Sequence, residues 1–129
     1  MRNGALKIFF IFCLFFSINY IQAEPVEGNS VVLKVLDKVT ARISDLEISV
    51  GESAKFGSLE INIFLCKKRP PEEVPENFVL MRILDEISPN NFEKVFQGWM
   101  ISSSPAVAPF EHPTYDVWVK FCNIDNVSK

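Results

Sequence analysis

In this 129-residue chain, Leu59, Ile61, Ile63 and Leu65 alternate with Glu60, Asn62 and Phe64, and no other feature restricts the fold as much. Successive strand side chains point to opposite faces, so period two predicts a strand with one face on a core. The pattern recurs along the chain. Residues 31–36 are rich in β-branched side chains, and Val39, Ala41 and Ile43 then alternate with Lys38, Thr40 and Arg42. Leu46, Ile48 and Val50 alternate with Glu47 and Ser49. Inward parity changes from odd to even across Ser44 and Asp45, which predicts a bend or bulge there. Gly51 and Gly57 mark a turn, Pro70 and Pro71 end the next strand, and residues 69–77 read as prolyl, acidic and exposed. Strand patterns resume over 78–87 and 92–102, on either side of the turn signal Ser88-Pro89-Asn90-Asn91. A loop over 102–113 holds Pro105, Pro109 and Pro113. The last strand runs over 114–122, with Tyr115, Val117, Val119 and Phe121 on one face and Trp118 and Cys122 on the other. No segment of the exported part sustains a helical period. The expectation is an all-β domain, a small antiparallel β-sandwich or barrel of about six or more strands.

The N-terminus reads differently. Arg2 and Lys7 precede an apolar run over residues 8–16, and the segment closes at Ile21-Gln22-Ala23. A basic start, a short apolar centre and a small residue before a polar stretch predict a signal peptide over 1–23. The centre falls short of the roughly 20 apolar residues a spanning helix needs. Cleavage would leave Glu24 as the first residue, a flexible leader over 24–30, a single β domain over 31–123 and a C-terminal tail over 124–129. An uncleaved membrane anchor is the alternative, since Ile21 is bulky for its place before the cut. Cys13 reads as one more apolar residue of the run.

Arg2 and Lys7 are the only charged residues of that segment, so the exported part is more acidic than the net −3 of the whole chain. An acidic domain with scattered basic residues gives no electrostatic footprint for nucleic acid, nor an evident hold on an anionic membrane. Export leaves Cys66 and Cys122. An even pair in an oxidising compartment predicts a disulfide, and a loop of this length suggests about 4 kcal/mol in the chain-entropy account. The alternatives are free thiols or a metal site borrowing His112, for which the close ligand spacing is missing. No cofactor is expected.

The only set resembling catalytic machinery is Ser102-Ser103-Ser104 with His112 and Asp116. The serines lie in no strained elbow, and beside a proline such hydroxyls usually satisfy turn backbone. Glu72-Glu73 and Asp85-Glu86 read as solvated carboxylates. Residues 126–128 match a glycosylation acceptor. Trp99, Tyr115, Trp118 and Phe121 cluster in the last third, either as core edge or as a recognition surface beside the proline loop, where Val107 and Phe110 have no periodic reason to be buried.

Several longer segments resemble the DUF2155 family of small exported proteins, found chiefly in alphaproteobacteria and without an assigned function. They are Phe56-Gly57-Ser58-Leu59-Glu60-Ile61, Cys66-Lys67-Lys68-Arg69-Pro70-Pro71-Glu72-Glu73, Phe96-Gln97-Gly98-Trp99-Met100, Ser103-Ser104-Pro105-Ala106, Glu111-His112-Pro113-Thr114-Tyr115-Asp116-Val117-Trp118 and the closing Cys122. Leu36-Asp37-Lys38-Val39-Thr40-Ala41 fits as well, so the likeness covers roughly 32–122. It implies a Gram-negative envelope and a periplasmic location, which sets the glycosylation triplet aside. The chain departs from the family at Pro109, where an apolar residue is common. No catalytic residue transfers.

The expectation is a periplasmic, non-enzymatic domain that binds another envelope protein. Its interaction surface would comprise Trp99, Ser103, Ser104, Val107, Phe110, Glu111, His112, Tyr115, Asp116 and Trp118. The second expectation is a hydrolase or transferase acting on an envelope polymer through His112 and Asp116. A third is a metal-handling protein.

Overall fold

The computed structural model describes residues 2–14 and 19–125, so the glycosylation triplet lies outside the described residues. An N-terminal helix, α1 (Arg2–Leu14), precedes eight strands: β1 (Val26–Glu27), β2 (Ser30–Asp37), β3 (Arg42–Ser49), β4 (Ser53–Phe56), β5 (Leu59–Lys68), β6 (Asn77–Ser88), β7 (Asn91–Ile101) and β8 (Tyr115–Asn123). Among the described residues no helix is long and apolar enough to cross a membrane.

The strands form two antiparallel sheets. In one the order is β1-β5-β6-β7, with β4 also pairing β5; in the other it is β3-β2-β8. β4 and β1 share one edge of β5, at its two ends. The inner faces meet in one core. Val31, Leu33 and Val35 of β2 and Val117 and Val119 of β8 pack over Ile61 and Ile63 of β5 and Val79, Met81 and Ile83 of β6. Among the described residues the chain is thus all-β apart from α1 and one 3-10 turn, as period two predicts.

Three local readings differ from the structure. First, β3 pairs with β2 in unbroken register from Ser30↔Ser49 to Asp37↔Arg42, so Ser44 and Asp45 form no bend. The change of parity comes instead from a hairpin turn, where the Asp37 carboxylate accepts the Val39 and Thr40 N–H groups at 2.9 and 3.2 Å. Val39 and Ile43 are consequently 79% and 60% exposed.

Second, register shifts occur in β5 between Ile63 and Leu65 and opposite Val32-Leu33 in β8. Each adds an unpaired residue, Phe64 or Lys120, and reverses the facing of the rest of its strand. Leu65 and Phe121 therefore turn outward, while Cys66 and Cys122 are buried. Cys122 does not share the outer face with Trp118. The two cysteines lie 5.9 Å apart at Cα and form a disulfide that closes a separation of 56 positions and ties one sheet to the other.

Third, the leader is not free chain. Val26 and Glu27 pair with Lys68 and Lys67, and the Gly28 and Asn29 N–H groups donate to the carbonyls of Cys66 and Asn123. A Cβ at Gly28 would sit 2.8 Å from the Asn123 oxygen, so only glycine fits against the end of β8.

Candidate functional site

β7 and β8 are edge strands of opposite sheets, and the chain between them crosses the open side of the sandwich. That crossing is pinned at both ends. At its start, Glu76 (7% exposed) accepts hydrogen bonds from the Ser102 hydroxyl at 2.8 Å, from the Ser103 N–H at 3.0 Å and from the Ser103 hydroxyl. Asn77 donates both its N–H and its side-chain amide to Ser102, while its side-chain oxygen accepts the Cys122 N–H at 2.9 Å. Burial alone would raise the Glu76 pKa; the Ser103 and Ser102 hydroxyls and the N–H groups of Ser103 and Asn77 outweigh it and hold the carboxyl below its ordinary 4.5.

At the other end, Phe110 is a core residue, 8% exposed, meeting Phe96 edge-on at 6.4 Å. His112 stacks between Phe110 and Tyr115, with ring centroids at 5.8 and 5.4 Å. Its Nδ1 accepts the N–H groups of Thr114 and Tyr115 at 3.1 and 3.2 Å, which leaves the proton on Nε2, donated to Asp85 at 2.9 Å. For Asp85, burial works to raise the pKa, and the hydrogen bonds from His112 and the Ser58 hydroxyl bring it below the ordinary 3.8. Both ring nitrogens of His112 are therefore occupied.

The residues picked from sequence are thus dispersed. The serines serve Glu76, His112 faces Asp85, and Asp116 pairs with Lys38 at 2.9 Å. Lys38 also donates to the His112 carbonyl at 2.8 Å, fastening the loop to the β2–β3 turn. Phe110 and His112 are not surface contacts. Tyr115 meets Phe56 edge-on at 5.8 Å, and its hydroxyl lies where a Cβ of Gly57 would be. Trp99 and Trp118 stand on the outer faces of opposite sheets, paired with Leu80 and Lys34 respectively.

What remains at the surface is a 3-10 turn, Pro105–Val107, with Val107 69% exposed, and the exposed Ser104 and Glu111 beside it. Beneath the turn, a cavity of about 200 Å³ is lined by Met100, Pro105, Ala106, Pro109, Phe110 and the β8 residues 116–118. Glu76 was missed in the sequence, and Asp85, read there as solvated, is instead largely enclosed against His112. Asp85 left a signal, since it comes after Val79, Met81 and Ile83 at inward parity; Glu76 left none.

Residues 31–122 match the model of a family described as an uncharacterised protein conserved in bacteria, DUF2155. The chain belongs to this family. It is 34% identical over 87 residues to an uncharacterised protein of Rickettsia prowazekii (strain Madrid E), covering 67% of the chain and 56% of that relative. No solved structure matches the chain. The DUF2155 match takes in the disulfide, Glu76, Asp85 and the whole crossing loop, so both anchors lie inside the family domain.

Proposed function

We propose that this DUF2155 chain is exported through a cleaved signal peptide ending at Ala23 and works in the periplasm as a non-enzymatic domain that binds another envelope protein. The disulfide suits an oxidising compartment, and the basic, apolar and small-residue order of the first residues suits export.

The observation that carries the binding reading is Val107, an apolar side chain exposed at the tip of a loop fixed on both sides. A prestiffened loop loses little conformational freedom when it docks, so its apolar contact is not spent on ordering. The polar groups around it favour binding over turnover. Glu76, His112 and Asp116 each have an internal partner, so no serine is left beside a free base.

The test is a pair of single substitutions. Val107→Ser should leave the melting temperature unchanged and abolish the partner crosslinked to the wild-type domain in the envelope. Phe110→Ser should lower the melting temperature by several degrees, at roughly 4–8 °C per kcal/mol for a domain of this size. A Val107→Ser protein that retains its crosslinked partner overturns the reading.

A further inference from the structure

The outer faces of the two sheets are built for different surroundings. On the β3-β2-β8 sheet most charges are paired, Lys34 excepted: Lys120 with Asp45 at 2.8 Å, Lys38 with Asp116 at 2.9 Å, and Glu47 accepting from Ser30 and Asn123 at 2.8 Å. Although Ile43 and Phe121 are exposed on it, that surface is largely satisfied in water.

The outer face of the β5-β6-β7 sheet is not. Leu65, Leu80 and Trp99 lie side by side across the three strands, and Phe78 pairs with Ile101 in the next row. Phe64, the unpaired residue of the β5 bulge, is 41% exposed and Trp99 is 43% exposed. The central strand explains this face. Its run Phe78-Val79-Leu80-Met81-Arg82-Ile83-Leu84 is apolar at both parities but for Arg82, the pattern of a strand covered on both sides. The core covers one side only.

Cations border this apolar field. The Arg82 guanidinium lies over the Phe64 ring at 5.7 Å and that of Arg69 over Phe78 at 5.8 Å. Lys67 shares a hollow of about 260 Å³ with Pro25, Phe78 and Trp99. Among the described residues neither Lys67 nor Arg82 has a carboxylate within ion-pair distance, whereas Arg69 reaches Glu73 at 4.0 Å. The acidic net charge of the chain thus conceals Lys67 and Arg82 as cations outside any ion pair on this face, with Glu27 the cross-strand neighbour of Lys67.

The first residues after the proposed cleavage point also lie at this face: Glu24 and Pro25 line a hollow with Arg69, Glu73 and Phe78.

We propose that the outer face of the β5-β6-β7 sheet seats on an anionic phospholipid surface, with Trp99, Phe64 and Phe78 at the headgroup boundary and Lys67, Arg69 and Arg82 on the phosphates. Aromatic rings favour that boundary, and each basic residue near an anionic bilayer adds attraction. This seat is separate from the Val107 loop and does not depend on it.

The chain has two tryptophans, one on each outer face, so each reports its own side. Mature Trp118→Phe and Trp99→Phe proteins, beginning at Glu24, are mixed with phosphatidylglycerol vesicles whose acyl chains carry bromine. Trp99 emission should fall at least twofold and Trp118 emission should stay within a tenth of its value. Reversing Lys67 and Arg82 to Glu in the Trp118→Phe chain should abolish most of the quenching, with circular dichroism confirming the fold. Brominated phosphatidylcholine should quench weakly. Equal quenching of both tryptophans overturns the proposal, as does a Trp99 that remains open to aqueous acrylamide on the vesicles. A Trp99 shielded before lipid is added, with a doubled mass in sedimentation, assigns the face to a second copy and overturns it too.

Discussion

Glu76 shows how one carboxylate can set the shape of a loop. Its hydroxyl and N–H donors all lie at the start of the crossing or beside it, so the charge on Glu76 is part of what keeps Val107 in place. Its pH dependence has a definite sign. The folded pKa is below the unfolded one, so the unfolded chain takes up the proton first as pH falls. The stabilisation is complete above the unfolded value and is lost as pH drops through the folded one; Asp85 contributes with the same sign. Urea midpoints should therefore decline from about pH 6 toward pH 3. Glu76→Gln should cost about 1–3 kcal/mol at neutral pH and flatten that decline. An undiminished acid slope in Glu76→Gln would remove Glu76 from the account. This residue was illegible in the sequence because its serine donors are more than 20 positions away and its own neighbours, Pro75 and Asn77, are turn formers. Asp85 was legible only as an oddity of parity, since nothing local names His112 as its partner.

At the level of strands, period two located β5, β6, β7 and β8 to within a residue or two, because alternation comes from having one wet face. It missed the bulges of β5 and β8 and the irregularities where β6 pairs β7. A bulge is settled by what lies opposite, and Phe64 and Lys120 suit a regular strand as well as an interruption. β4 and β1 were missed for a related reason: their few residues owe their form to the edge of β5. The bulges decide whether the cysteines can meet. Inserting one residue between Leu65 and Cys66 reverses the facing of everything after it and should turn Cys66 to the outer face. Alkylation should then find two free thiols. The melting temperature should fall by roughly 10 °C or more, from about 2–4 kcal/mol for the bridge at 4–8 °C per kcal/mol. Retention of the disulfide would mean that the interruption had moved elsewhere in β5.

For the whole molecule, β8 is the strand whose place matters most, because it pairs with β2 across nearly the full length of the domain. Sequence periodicity yields strands but not their order, so this closure could not be foreseen. It has a consequence in time. A chain made from its N-terminus can form the β2–β3 hairpin and the β5-β6-β7 meander early, since each joins neighbours through short turns. Val31, Leu33 and Val35 then wait beside an empty edge until the final strand is released. Contacts so distant in sequence form late, after the closure entropy has been met. Pulsed hydrogen exchange during refolding should thus protect β6 amides before those of β8, and simultaneous protection would point to one nucleus spanning both sheets. Until β8 docks, Cys66 has no thiol to meet, so oxidation marks the moment at which the newborn chain ceases to be a bare-edged intermediate open to strand exchange.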